Sequence, residues 1–148
     1  MLQPKKRKYR KCFRGKNRGI ASRGTEVVFG EYGLKALEHG RLSDRELEAA
    51  RKKITFATKK VGKYWFRVFP HRPVTKKPVG VKMGSGKGDI SHYVAVVKPG
   101  VILFEIGGVS QEAAKAAFSK AGHKLSVKTT LVCKEDRKST RLNSSHTN

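Results

Sequence analysis

Acidic residues are scarce in this sequence. Eleven Asp and Glu residues stand against 34 Lys and Arg residues, which gives the 148-residue chain a formal net charge of +23 at pH 7. Because unpaired charges are expensive to bury, this excess must lie on the surface, where it repels itself. Nucleic acid is the first candidate for a polyanion that relieves the repulsion, and an anionic membrane surface is the second. The alternative is a solvated basic surface without a partner.

Cysteine and long apolar runs are also lacking. Cys12 and Cys133 are the two cysteines, too few for a disulfide framework or a zinc quartet, so we expect reduced thiols in a cytosolic compartment. No apolar run approaches the ~20 residues that span a bilayer. The N-terminus also lacks the apolar segment of a secretory signal. Hydrophobic residues make up 37% of the chain, which predicts one domain with a small core.

The first 24 residues are a basic arm in our prediction, followed by a globular domain over residues 25–134. A segment of this composition cannot bury enough apolar surface to fold alone, so we expect it to become ordered on RNA. Tyr9 and Phe13 either stack on bases or pin the arm to the domain. The candidate RNA-binding residues of the arm are Lys5, Lys6, Arg7, Lys8, Arg10, Lys11, Arg14, Lys16, Arg18 and Arg23.

A long amphipathic helix is predicted after Ser43. Ser43 and Glu46 have the spacing of a capping box, and Gly62 is the predicted stop. The apolar stripe of this helix comprises Leu47, Ala50, Ile54, Ala57 and Val61. Lysines fill the last predicted turn, where they suit the helix dipole. Such a face is often merely solvated, but its purely basic end makes the following residues RNA-binding candidates: Arg51, Lys52, Lys59 and Lys60.

A second helix is predicted after the cap Ser110 and before the stop Gly122, with a packing stripe of Ala114, Ala117, Phe118 and Ala121. Strands are predicted at "TEVVFG", at "KYWFRVFP" as an inner strand, and at "LSVKTTLVCK". The segments "HYVAVVK" and "VILFEIGG" are predicted to form a hairpin around Pro99-Gly100. Prolines exclude regular structure between Pro70 and Val79. The predicted fold is α+β, with two helices packed on a mixed, mostly antiparallel sheet.

The stretch "VKMGSGKGDISHY" (81–93) resembles a phosphate loop at first sight. A Walker loop fails here because Val81 stands where its first glycine belongs and Gly88 stands where its hydroxyl residue belongs. A phosphate-handling enzyme that uses Lys87 therefore remains a rival with little support, since the single histidines suggest no catalytic or metal site either. We expect no enzyme activity, metal or cofactor. The loop is either a mobile tip or a finger that approaches RNA closely, since glycine has no Cβ.

Several stretches together resemble the bacterial large-subunit ribosomal protein L-sixteen family. They are "MLQPKKRKYRK", "NRGIASRG", "FGEYGLKALEHGRLSDRELEAARKKIT", "GKYWFRVFPHRPVTKKPVGVKMGSGKG" and "KTTLVCK", in collinear order from Met1 to about Lys134. Members of this family are similar to an archaeal and eukaryotic large-subunit counterpart. They are α+β ribosomal proteins without enzyme activity.

The resemblance implies a cytoplasmic, ribosomal location and monomeric binding to large-subunit rRNA beside neighbouring ribosomal proteins. It also implies a role in late subunit assembly and contact with aminoacyl-site tRNA, with peptidyl-site tRNA as a second candidate. The family's tRNA-facing loop corresponds here to Lys82, Met83, Gly84, Gly86, Lys87 and Gly88. The family usually has arginine at the position of Lys82, so modification of that arginine is not expected to transfer. A free-standing nucleic-acid chaperone is the remaining rival.

The sequence after Glu135 departs from the family. "DRKSTRLNSSHTN" resembles a translated sequencing-adapter read-through, and its composition is typical of disorder. We therefore interpret residues 135–148 as a disordered tail derived from an adapter, and we exclude its cations from the functional argument.

Overall fold

A computed structural model describes residues 3–5, 17–76 and 89–134 of the chain. Within these residues it contains two helices and seven strands, so the predicted α+β class is confirmed. In chain order the elements are β1 (Tyr32–Ala36), β2 (Gly40–Ser43), α1 (Asp44–Ala57), β3 (Lys63–Phe66), β4 (Arg72–Lys76), β5 (Asp89–Val97), β6 (Ile102–Gly107), α2 (Gln111–Gly122) and β7 (Thr129–Cys133).

The strands form two sheets rather than one. The first has four strands in the order β3-β6-β1-β7, and the second has three in the order β2-β5-β4. Every strand pair in the described residues is antiparallel. The predicted hairpin is wrong, because β5 and β6 belong to different sheets. Pro99 and Gly100 instead carry the chain from one sheet to the other, with Gly100 at a φ of 104° and its N–H donating to the Ala36 carbonyl at 2.9 Å.

One core joins both sheets to both helices. The two helices contact each other as well as the sheets. A fully buried Leu, Ile, Val or Phe side chain in such a core contributes about 1.5–3 kcal/mol to the stability of the fold, relative to the same side chain left exposed. The buried cluster includes Leu34, Phe104 and Ile106 of the first sheet, Leu42, Ala95 and Val97 of the second, Leu47, Ala50 and Ile54 of α1, and Ala114, Phe118 and Ala121 of α2.

The helix starts follow the predictions. Ser43 Oγ accepts the Glu46 N–H at 3.2 Å, and Ser110 Oγ accepts the Ala113 N–H at 3.2 Å. The Glu46 carboxylate also accepts the Ser126 N–H at 3.1 Å, which ties the first turn of α1 to the segment after α2. The predicted stop at Gly122 is confirmed, since α2 ends there.

The predicted stop of α1 at Gly62 is wrong. The helix ends at Ala57, so Val61 lies outside it and is 59% exposed, whereas Ala57 is half-buried. Gly62 is needed for another reason: it has a φ of 78°, and a Cβ there would collide with the Gly107 carbonyl oxygen. It is therefore the left-handed backbone and the close approach to the end of β6, and not a helix end, that require glycine at this position.

Four strand predictions need correction. "TEVVFG" forms no strand, because three of its backbone N–H groups donate to one carboxylate instead of to a neighbouring strand. The strand at "KYWFRVFP" ends at Phe66 and lies at a sheet edge, not inside, and Phe69 is 45% exposed. The last strand begins at Thr129 rather than Leu125.

The fourth correction concerns β4, which occupies a region where prolines predicted no regular structure. Pro73 lies within β4 and faces Tyr93 of β5. β4 is an edge strand of its sheet, so one side of its backbone has no neighbouring strand. An N–H on that side has no hydrogen bond to make within the sheet, and proline, which lacks the N–H, is therefore tolerated there. The remainder of that predicted stretch, including Pro78 and Val79, lies outside the described residues.

Candidate nucleic-acid interface

Part of the predicted basic surface lies on the solvent-facing side of α1. Leu47, Ala50 and Ile54 are buried, and the helical repeat therefore turns Lys52 and Lys53 outward, where both are exposed. The first turn of α1 contains Asp44 and Glu46, but the stretch 52–63 contains no acidic residue. The charge thus changes from acidic at the start of α1 to basic in its middle and in the segment that follows it.

Arg51 is positioned differently from its lysine neighbour. Its Nε and Nη2 atoms donate to Glu48 Oε2 at 3.2 and 3.1 Å, and the two side chains are 27% and 28% exposed. Hydrogen bonds with the Tyr64 hydroxyl and with Glu48 raise the pKa of the Arg51 guanidinium above its ordinary value. Arg51 is therefore a cation whose charge is already partly balanced within the protein.

The end of α1 places two lysines in a left-handed backbone conformation. Lys59 has a φ of 53° and Lys60 a φ of 62°. The Lys60 N–H donates to the Thr55 carbonyl at 3.1 Å, and the Lys59 N–H donates to the Phe56 carbonyl at 3.2 Å. This is the hydrogen-bond pattern of a Schellman motif, in which glycine normally occupies the position of Lys59. The prediction that lysines fill the last turn is wrong, because α1 has no basic residue in that turn and both lysines follow it.

Apolar side chains are exposed beside these lysines. Phe56 is 79% exposed and Val61 is 59% exposed. Lys52 and Phe56 are four residues apart on the helix and so share a face. We define the α1 corner as this basic and aromatic surface, made of Lys52, Lys53, Phe56, Lys59, Lys60 and Val61. Phe56 was not predicted from the sequence, although its position between two lysine pairs, next to the stripe residue Ala57, was visible there.

The segment that enters the domain from the predicted arm is bonded to both sheets. Asn17 Nδ2 donates to the Val97 carbonyl at 2.8 Å, the Ala21 N–H to the Pro99 carbonyl at 3.0 Å, and the Ile102 N–H to the Gly24 carbonyl at 2.8 Å. These contacts lie along the crossing from β5 to β6. The predicted cations Arg18 and Arg23 are exposed on this segment, and so is Lys5 nearer the N-terminus.

A buried carboxylate fixes the next stretch of the chain. Glu105 in β6 is fully buried, and its Oε1 atom accepts the N–H groups of Val28, Phe29 and Gly30 at 2.9, 2.7 and 2.8 Å. Its Oε2 atom pairs with Arg67. Burial by itself would raise the pKa of Glu105, but the hydrogen bonds from Gly30, Arg67, Phe29 and Val28 outweigh burial and lower the pKa below its ordinary value.

Arg67 links the Glu105 carboxylate to the Glu26 backbone and to the aromatic ring of Phe29. Its Nη1 atom also donates to the Glu26 carbonyl at 3.0 Å, and its guanidinium lies 5.4 Å from the centre of the Phe29 ring. Phe29 in turn stacks on Trp65 with 6.3 Å between ring centres. This cluster was not predicted from the sequence. The available signal was one acidic residue inside the apolar run "VILFEIGG" and one basic residue inside "KYWFRVFP".

Many predicted site residues lie outside the described part of the chain. For the arm these are Lys6, Arg7, Lys8, Arg10, Lys11, Arg14 and Lys16, together with the aromatics Tyr9 and Phe13. For the glycine loop they are Lys82, Met83, Gly84, Gly86, Lys87 and Gly88. Residues 135–148 also lie outside it. The roles of all these residues stay predictions.

Neither a metal centre nor a membrane-spanning helix is found in the part of the chain that the structure describes. Over residues 3–5, 17–76 and 89–134 no three His, Cys, Asp or Glu side chains are grouped so that they could hold a metal ion. No helix among the same residues has the length and apolar character needed to cross a membrane.

Comparison with known proteins points to one family. Residues 4–132 match the family model described as ribosomal protein L16p/L10e. The chain is also 59% identical over 132 residues to the protein named "Large ribosomal subunit protein uL16" of Sulfurihydrogenibium sp. (strain YO3AOP1). That match covers 89% of this chain and 96% of the relative.

Proposed function

The chain belongs to the ribosomal protein L16p/L10e family, and on that premise we propose that it binds large-subunit rRNA through its basic surface. It is a structural component of the large ribosomal subunit and not an enzyme, and it is located in the ribosome, in the cytoplasm. The rival of a phosphate-handling enzyme is thereby set aside.

The rRNA contacts fall on two regions in this proposal. The predicted arm supplies the larger number of cations, and α1 supplies the second set. The observation that carries the proposal is the exposure of Lys52 within α1 and of Lys59 and Lys60 just after it, in a stretch without acidic residues. Lysines in this setting neutralise phosphates and release the counterions condensed on RNA, which gives affinity without base specificity.

The glycine loop has a different partner in this proposal. Residues 82–88 contact aminoacyl-site tRNA, with peptidyl-site tRNA as the alternative, while the arm and α1 hold the domain on rRNA beside other ribosomal proteins. The protein acts as a monomer within the subunit. The support is the family membership together with the loop's composition of glycines and lysines.

A salt titration of the full chain on large-subunit rRNA tests the rRNA contacts. If about 6–10 phosphates are neutralised, affinity falls ~10³–10⁵-fold between 50 and 200 mM salt. A triple variant with Lys52, Lys59 and Lys60 changed to Gln reduces the slope of log affinity against log salt by about 2–3. The matched control changes the exposed lysines of the α2 region to Gln: Lys115, Lys120 and Lys124. Equal loss of slope in both variants contradicts the placement on α1, and a flat response of the wild type contradicts rRNA binding.

A further inference from the structure

The backbone at the α1 corner has two lysines in a conformation that glycine would adopt more easily. A left-handed conformation is unfavourable for a non-glycine residue because its Cβ comes too close to the following carbonyl oxygen, and here two adjacent lysines adopt it, at φ values of 53° and 62°. Glycine would adopt the same φ values without that cost. Residues held in such conformations often cluster at functional sites. The corner therefore carries two lysine side chains where backbone stability alone favours glycine.

The position of Phe56 is equally unfavourable for the isolated protein. Ile54 is 1% exposed and belongs to the core, whereas Phe56 is 79% exposed on the outer side of the last turn. A buried phenylalanine would stabilise the fold by removing its ring from water, and Phe56 does not gain that stabilisation within the chain. Lysines stand three and four residues before it and three and four residues after it: Lys53, Lys52, Lys59 and Lys60.

We propose that the α1 corner is a base-stacking site, in which the Phe56 ring stacks on an unpaired nucleobase of RNA. The surrounding lysines neutralise the phosphates on either side of that nucleotide. This inference deepens the proposed function and rests on it, because it assumes that the α1 corner faces RNA. The partner is a nucleotide with a free base face, since the bases of a regular duplex are already stacked on both sides.

The chemistry of the corner favours a nucleotide over an apolar protein surface. An apolar partner that covered Phe56 and Val61 would also remove water from the neighbouring ammonium groups, and unpaired buried charges are expensive. A nucleotide supplies a flat π surface for the ring and anionic oxygens for the lysines in one ligand. Stacking of this kind tolerates every base, because each base has a π face.

The test compares variants of the full chain on two probes, a short single-stranded oligo(U) and an RNA duplex of the same length. Phe56→Ala is expected to weaken binding to oligo(U) by ~5–150-fold, the range that corresponds to the loss of one stacked base. Phe56→Trp retains the affinity, and Phe56→Leu behaves like the alanine variant because it has no flat ring. The salt slope and the duplex affinity stay unchanged in all three.

Phe69→Ala is the matched control, since Phe69 is another exposed phenylalanine, 45% accessible, outside the corner. It should bind oligo(U) like the wild type. Short-wavelength ultraviolet cross-linking gives a second readout: the uracil adduct should map to the tryptic peptide 54–59, which contains Phe56. Thermal unfolding of each variant checks that the fold is intact.

The outcomes separate this inference from the proposed function. If the wild type binds neither probe at low salt, the proposed RNA binding itself fails. If the wild type binds but Phe56→Ala binds equally well, or if the adducts map elsewhere, the stacking site is wrong while RNA binding stands. An equal loss on the single strand and on the duplex also overturns stacking.

Discussion

Arg67, the residue after β3, forms an ion pair with Glu105 of the neighbouring strand β6. The Arg67 N–H donates to the Leu103 carbonyl at 3.0 Å, just beyond β3, while Glu105 faces Trp65 within the β3–β6 ladder. The pair holds the stretch 26–30 on the sheet through the Glu26 carbonyl and the three N–H groups bound by Glu105. The stretch that follows the predicted arm is therefore fixed by charge and hydrogen bonding.

Removing the charge of Glu105 should destabilise the fold strongly. Glu105→Gln keeps the shape but places an amide where the structure needs two acceptor oxygens, and it leaves the largely buried Arg67 guanidinium unpaired. We expect a loss of about 3–5 kcal/mol in the free energy of unfolding, measured by urea denaturation. Glu48→Gln breaks the partly exposed pair with Arg51 and serves as the control, with a loss of at most about 1 kcal/mol. Equal losses would contradict the anchoring role.

The same carboxylate should make stability depend on acid pH. The pKa of Glu105 is lowered from its ordinary value of 4.5, so the folded state binds its proton less readily than the unfolded state. The resulting stabilisation is fully present above the unfolded pKa and is lost as the pH falls through the lowered folded pKa. The difference in unfolding free energy between wild type and Glu105→Gln should therefore shrink as the pH falls below 4.5. A difference independent of pH would show that the ionised carboxylate is not what stabilises the fold.

Glycine at the end of α1 should increase stability. Lys59→Gly relieves a left-handed lysine at the Schellman position and should raise the unfolding free energy by about 1 kcal/mol. The control is the same substitution inside the helix: Lys52→Gly should lower stability by about 1 kcal/mol. Thermal and urea unfolding measure both. If the two variants changed stability in the same direction, the backbone of Lys59 would not be strained.

Deletion of the arm and deletion of the glycine loop should impair different functions of the protein. Deleting residues 84–88 should leave rRNA affinity nearly unchanged and impair tRNA accommodation on reconstituted subunits. Deleting residues 1–16 should block incorporation into the subunit. This deletion retains Asn17, whose side-chain amide donates to the Val97 carbonyl and holds the start of the domain in place. Filter binding to rRNA and a tRNA accommodation assay separate the two effects. An equal loss of rRNA affinity from both deletions would contradict the division.

Features set by neighbouring residues could be predicted from the sequence. The Ser43 and Ser110 caps and the buried stripe of α2 depend on contacts within three or four residues, so the spacing of residue types revealed them. The end of α1 could not be predicted in this way, because Lys59 takes a conformation that propensity assigns to glycine. The prediction chose Gly62, the nearest residue that suits that conformation.

Strand pairing depends on residues that are distant in the chain. The sequence showed β5 and β6 as apolar segments joined by a turn, but it could not show that they enter different sheets. For the same reason β4 could not be predicted: Pro73 is acceptable in it only because the strand lies at the edge of its sheet. Whether proline costs a hydrogen bond depends on which side of the strand has a neighbour, and that is a property of the assembled sheet.

The sequence by itself determined the class of fold, the basic character of the surface and the family, because composition, local periodicity and collinear motifs carry that information. The tertiary structure alone decided that Glu105 meets Arg67 and the backbone of residues 28–30, and that Phe56 faces solvent among lysines. Both depend on which surfaces are covered when the sheets and helices pack, and burial is a property of the packed chain as a whole, not of neighbouring residues.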